Sequence, residues 1–137
     1  MTKEVHDLLQ IAHETLEDAK ILFGNQRYPG TVERTYFAVL HAASAMLLHM
    51  GVRAETHYGV KIKFGETIAK PGKVERRFGK ILSETYDLRL DAEYVPEARS
   101  GITREIAEEQ LTKAAEFLDM AMDFIKKAGG DLQRNQV

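Results

Sequence analysis

The chain has no cysteine and no tryptophan, and only three of its 137 residues are proline. Without cysteine there is no disulfide, no thiolate zinc site and no thiol nucleophile, so the fold must stand on its hydrophobic core. At this length a single domain buries roughly two-thirds of the surface its unfolded chain exposes, which suffices without staples. Long apolar runs are missing too. Nothing approaches the roughly 18 residues a membrane span needs, and the opening MTKEVHDLLQ lacks the basic-then-apolar layout of a signal peptide. The expectation is a soluble cytoplasmic protein with no membrane association. A formal net charge of −2 excludes a surface that is basic all over, as indiscriminate nucleic-acid binding would require. Several catalytic signatures are likewise absent: a Gly-rich phosphate loop ending in Lys-Ser/Thr, a Gly-x-Ser-x-Gly elbow, His-Glu-x-x-His, and the Glu-x-x-His pairs of di-iron bundles. His6, His13 and Glu17 share one side of a helical segment but flank its apolar stripe. No metal and no cofactor is expected.

What is present is helical periodicity between turn signals. Pro29, Pro71 and Pro96, with Gly24, Gly30, Gly72 and Gly101 near them, cut the chain into segments of helical length. The first carries Val5, Leu8, Leu9, Ala12, Leu16, Ala19 and Phe23 at a 3.6-residue period, with Thr2 placed to cap it. The second runs from about Thr31 to Met50 and stops at Gly51. A short third covers His57 to Ala69, and a fourth covers Lys73 to Leu90 with Val74, Phe78, Ile81 and Leu82 on one side. The last starts near Thr103, carries Ile106, Ala107, Leu111, Ala114, Leu118, Ala121 and Ile125, and meets its C-cap at Gly129-Gly130. No run alternates with a period of two. The pattern predicts an all-α, antiparallel bundle of four to five helices over residues 1–130, with a short polar tail over 131–137.

The charge is uneven. Residues 61–80 hold seven basic and two acidic side chains, a local excess of +5, and residues 91–123 hold nine acidic and three basic, a local excess of −6. Such runs are ordinarily the solvated faces of helices. The basic one, with Arg76 and Arg77 in it, can also guide a phosphate-bearing strand electrostatically.

The second segment is the most informative. At roughly 100° per residue, one broad face carries Val32, Tyr36, Val39, Leu40, Ala43, Met46, Leu47 and Met50. The opposite side carries Phe37, Ala38, Ala45 and Leu48, so the helix is apolar almost all round and predicts either a central position or a subunit interface. Amid that second patch lie Arg34 and His41, within about 20° of each other and roughly 10 Å apart along the axis. An always-charged guanidinium beside an imidazole that titrates near neutrality can hold a phosphate and move a proton. Taken alone, such a pair is an ordinary feature of a helix surface or core edge.

The run Arg34-Thr-Tyr-Phe-Ala-Val-Leu-His41-Ala-Ala resembles the Arg-x-Tyr-Tyr-Ala-x-Phe-His-Ala-Ala segment of HEPN-domain proteins, small prokaryotic helical domains often encoded beside a minimal nucleotidyltransferase. Thr56-His57-Tyr-Gly59, followed by Phe64, is similar to that family's Thr-His-Ser-Gly turn. Leu88-Arg89-Leu-Asp-Ala92-Glu93-Tyr94 is similar to its Leu-Arg-x-x-Ala-Asp-Tyr stretch. The resemblance implies a bundle that forms a homodimer. Members in which four to six residues separate the Arg from the His cleave RNA without metal, at a composite site where two subunits meet. Arg34 and His41 have six between them. The resemblance thus implies catalytic roles for Arg34 and His41, a nucleotidyltransferase antitoxin as partner, and RNA or a nucleotide as ligand. Tyr36, His57, Arg76, Arg77, Arg89 and Tyr94 are the candidate nucleotide- or RNA-binding residues, His57, Arg89 and Tyr94 having loop-tying as their plainer role. Thr35 stands where cleaving members commonly carry Asn, Asp or His after the arginine. A non-catalytic subunit that binds a nucleotide or a partner is the alternative.

Overall fold

The computed structural model describes the backbone of residues 1–135 and the side chains of residues 1–127. It is all-α among the described residues, with four long helices and two short ones: α1 (Lys3–Gly24), α2 (Tyr28–His49), α3 (His57–Phe64), α4 (Arg76–Tyr94), α5 (Pro96–Ser100) and α6 (Arg104–Asn135). Among the described residues no helix is long and apolar enough to cross a membrane.

Each boundary has a local cause. The Thr2 hydroxyl accepts from the Val5 amide and starts α1, as its position in the sequence predicts. At the far end of α1 the left-handed residue is Gln26 (φ 57°), although Gly24 stands two places before it. Helix α2 begins at Tyr28, three residues before the expected start, because Pro29 suits the first helical turn. It ends in a Schellman motif: Gly51 (φ 80°) donates to the Leu48 carbonyl and Val52 to that of Leu47. Thr56 caps α3 by accepting from the Gly59 amide at 2.8 Å. A single π-helical turn, Gly65–Ala69, extends α3. The one-turn helix α5, with Pro96 in its first turn, is not predicted from periodicity, since five residues are too few to show one. The C-cap expected at Gly129-Gly130 is a correction: the backbone of α6 continues through the pair to Asn135. Interior glycine costs a helix about 1 kcal/mol per residue and does not forbid it.

Helix α2 is the centre of the bundle, packed most extensively on α1 and then on α6, α4 and α3. Ala38 and Ala45 are fully buried by the chain's own helices, so their burial requires no second subunit. The central position accounts for the apolar circumference. The main core joins Leu9, Ala12, Leu16, Val39, Met46, Phe64, Leu82 and Phe117, among others. A smaller cluster of Val32, Ala92 and Ile102 seats α5 and the start of α6 against the first turns of α2. There Arg99 reaches Glu33 at 2.7 Å and the Ala92 carbonyl at 2.9 Å, pinning α5 to α2 and α4.

Candidate functional site

Of all residues on α2, Arg34 alone is exposed. Around it runs one stripe of half-buried positions, Glu33, Phe37, His41, Ser44 and Leu48, the part of the helix between its two ends that the bundle leaves incompletely covered. Glu33 is engaged by Arg99, so the carboxylate next in sequence to Arg34 is already taken. Arg34 makes no ion pair among the described residues, and its guanidinium lies 6.0 Å from the centre of the Phe37 ring.

Phe37 is the hub around which the other groups gather. From α3, the His57 ring meets it edge-on at 5.7 Å and meets Tyr36 at 5.9 Å. From α4, the Arg89 guanidinium sits 5.4 Å from the centres of both Tyr36 and Phe37, held there by Glu93 at 2.9 Å. One helical turn along α2 is His41, half-buried. Burial pulls its pKa below the usual imidazole value, and the nearby His57 pulls it further the same way. The Tyr36 hydroxyl is buried and has no hydrogen-bond partner among the described residues. Burial pushes its pKa up to about 12, with Arg89 opposing. Tyr86 packs on Tyr36 at 5.9 Å and on the exposed Tyr58 at 6.4 Å, and the Lys61 ammonium lies 4.8 Å above the Tyr86 ring.

Five of the eight residues predicted to form the site are therefore brought together: Arg34, Tyr36, His41, His57 and Arg89, contributed by three helices. The motif Thr-His-Tyr-Gly has a local mechanical reason. An added Cβ at Gly59 would lie 2.8 Å from the Thr56 hydroxyl, so in this cap geometry the glycine gives the Thr56 side chain room that a larger residue would make it yield.

The other three do not join them. Arg76 is exposed and lines a separate groove over α3 and α4. Arg77, next to it in sequence, turns toward α6 and is paired with Glu75 and Glu116. That pairing occupies the charge that a phosphate would otherwise use. Tyr94 is 66% exposed beyond the end of the cluster, turned about 140° around α4 from Arg89. Tyr58 and Tyr86 are members that the sequence does not assign to the site, since aromatics at helical spacing read as packing. Phe37 stands in the Arg34-Thr-Tyr-Phe motif, Tyr58 in the Thr-His-Tyr-Gly motif and Lys61 in the basic 61–80 run, and those are the signals that could have placed them here.

The arrangement presents two guanidiniums and two imidazoles around one aromatic hub, with Glu93 as the carboxylate that orients Arg89. Groups of this kind bind and neutralise a phosphate and shuttle protons. No cluster of three potential metal ligands occurs among the described residues.

The small helical bundle, with Arg34 and His41 seven residues apart on its central helix, carries the features on which the sequence resembles a known class of helical domains. The family model for the HEPN domain matches residues 5–128, and the chain belongs to that family. A protein of Methanocaldococcus jannaschii named "Putative toxin MJ0605" is 37% identical over 126 residues, 92% of this chain and 89% of that protein. A "UPF0332 protein" of Thermotoga maritima is 32% identical over 123 residues, 90% of this chain and 89% of its own. A second M. jannaschii protein, "Putative toxin MJ0142", is 26% identical over 123 residues, covering 90% and 82% of the two chains.

Proposed function

We propose that this chain is a toxin-like HEPN subunit that cleaves single-stranded RNA without a metal ion, using Arg34 and His41 at a site completed by a second copy, and that a minimal nucleotidyltransferase partner restrains it. The observation that carries the reading is that α2 exposes a single residue, an unpaired arginine, one turn from the aromatic hub on which an imidazole and a second guanidinium converge. A histidine whose pKa lies below the usual value is neutral at physiological pH, ready to accept a proton. In the reaction the ribose 2′-oxygen attacks the adjacent phosphorus, its proton passes to His41, the bond from phosphorus to the 5′-oxygen breaks, and that oxygen takes a proton from solvent or a second imidazole. The products are a 2′,3′-cyclic phosphate and a 5′-hydroxyl. Arg34 neutralises the extra phosphate charge as it forms. DNA lacks the nucleophile and is left intact. The half-buried stripe of Phe37, His41, Ser44 and Leu48 is the face on which a second copy would sit.

The test is incubation of purified protein with single-stranded RNA in the presence of a chelator. Cleavage leaving 2′,3′-cyclic ends, lost in both Arg34→Ala and His41→Ala, is expected. Wild-type protein no more active than the two variants would overturn it. One observation favours a second reading, a nucleotide- or partner-binding subunit without turnover: Thr35 is buried and donates its hydroxyl to the Val32 carbonyl of its own helix, so it brings no group to the site. Saturable nucleotide binding that depends on Arg34 and Arg89, without product, would select that reading.

A further inference from the structure

The groove over α3, the π-turn and α4 is a second cationic feature, separate from the Arg34 and His41 pair. It has a volume of about 560 Å³, and its rim carries Lys61, Lys70, Arg76 and Lys80, with Ser83 among them and Glu66 as the one carboxylate. Lys70, Arg76 and Lys80 are exposed and make no ion pair among the described residues, while Lys61 meets Asp87 only at 3.9 Å. The floor is apolar, closed by Phe64 and by the contact of Gly79 with Ala69, where an added Cβ would approach to 3.0 Å. Basic side chains that outnumber the acidic ones over an apolar floor repel one another, and a bound polyanion relieves that repulsion.

The groove is also connected. Lys61 belongs to its rim and lies above the Tyr86 ring, which packs on Tyr36 of the Phe37 cluster on one side and on Tyr58 on the other. Tyr58 is 58% exposed, an open ring face beside the cations. Alternating cations and open aromatic rings are what a single strand needs, phosphates meeting the cations and unstacked bases meeting the rings. A duplex keeps its bases stacked and offers nothing to Tyr58.

The geometry points to a binding track for single-stranded RNA that leaves the Arg34 and His41 site past Tyr58 and Tyr86 and runs through the groove of Lys61, Lys70, Arg76 and Lys80. The strand's identity as RNA rests on the function proposed above; the track itself does not require cleavage. It extends contact to several nucleotides beyond the scissile one.

Binding to a fluorescent 12-nucleotide strand carrying 2′-O-methyl groups throughout tests it, because that strand cannot be cut by the 2′-hydroxyl route. The variant Lys70→Ala/Arg76→Ala/Lys80→Ala is expected to bind at least tenfold more weakly at low salt, with the slope of log affinity against log salt reduced by about 2, since each lost phosphate contact removes about 0.7. Tyr58→Ala is expected to lose about tenfold, the worth of one stacked base. All four positions are exposed, and thermal melting verifies that the variants fold. An unchanged affinity and salt slope in the triple variant would overturn the track. So would displacement of the strand by polyglutamate of matching charge combined with full binding by Tyr58→Ala, which would mark the groove as a dock for an acidic protein. Cleavage of a short dinucleotide by the triple variant at the wild-type rate, with binding of the long strand lost, supports the track. Absence of any cleavage by wild-type protein bears on Arg34 and His41 alone.

Discussion

Arg76 and Arg77 are neighbours in the sequence, and the bundle treats them differently. Arg77 faces the seam between α4 and α6, where it pairs with Glu75 and Glu116; Lys113 pairs there with Glu84 and Glu109. Arg76 faces the groove with Lys70 and Lys80, and none of these has an acidic partner among the described residues. One side of α4 thus has its cations matched by carboxylates, and the other leaves them unmatched. The same contrast holds on α2, where Glu33 is engaged by Arg99 and Arg34, one position on, is left unpaired. Exposed ion pairs contribute little to stability, so the pattern of pairing says more about where an anion can bind than about what holds the fold together.

The largest effects expected of variants fall on the unpaired side. Arg34→Gln removes the charge while keeping a polar side chain, and is expected to slow RNA cleavage by about 100-fold or more, in the range for loss of a transition-state charge partner; rates on single-stranded RNA in chelator check it. Melting should barely move, because Arg34 is exposed and unpaired. Gly59→Ala comes next. The new methyl would lie 2.8 Å from the Thr56 hydroxyl, which has to move, weakening the α3 cap by up to about 1 kcal/mol and moving His57 against Phe37. Melting lower by up to about 4 °C, with a changed His57 imidazole resonance, is the expected pair of results; an unchanged resonance would mean the cap does not position the ring.

Replacing Arg76 and Arg77 one at a time tests the comparison directly. Arg76→Ala is expected to weaken binding of an uncleavable RNA strand several-fold and lower the salt slope by about 0.7, leaving melting unchanged. Arg77→Ala should do the opposite, lowering melting slightly and leaving RNA affinity intact. Equal effects of the two on RNA would dissolve the distinction between paired and unpaired faces. His41 adds a pH dependence. Its folded pKa lies below the unfolded value near 6.5, so the unfolded chain takes up the proton first as pH falls. Stability on this account declines as pH drops through 6.5 and levels off below the folded value. His57 on α3, which faces His41, acts in the same sense; Arg34 on α2 and Arg89 on α4 are the other cationic groups around this site. His49, also lowered by burial, contributes its own slope. The measurement is therefore the difference between wild type and His41→Gln in denaturant unfolding from pH 7.5 to 5, in which the variant should lose less.

Much of the fold and part of the site are legible in the sequence, and the divide has a physical basis. Caps and apolar periods are local, so Thr2, Gly51 and the helical faces follow from residue order. Arg34 and His41 lie on one helix and can be paired by counting residues. That Ala38 and Ala45 are covered by the chain's own helices cannot be counted, since burial depends on which helices neighbour α2. The separate fates of Arg76 and Arg77 are set by an acidic residue 39 positions away from Arg77. The aromatic ladder from Phe37 to Tyr58 joins α2, α3 and α4 and has no sequence period at all.

The smallest expected effect serves as the control for all of these. Gln26 adopts a left-handed conformation (φ 57°) in the turn between α1 and α2, where the neighbouring Arg27 amide donates to the Leu22 carbonyl. That conformation costs a residue with a Cβ roughly 1 kcal/mol or more, and glycine adopts it freely. Glycine also enlarges the entropy of the unfolded chain, which offsets part of the gain. Gln26→Gly is therefore expected to stabilise the protein by about 0.5 kcal/mol, read as a small rise in denaturant midpoint at constant slope. Gln26 is exposed and makes no ion pair among the described residues, so RNA cleavage, RNA affinity and salt slope should all stay at wild-type values. A change in any of them would show that activity tracks global stability, and the losses expected for Arg34→Gln, Gly59→Ala and Arg76→Ala would then have to be corrected for it.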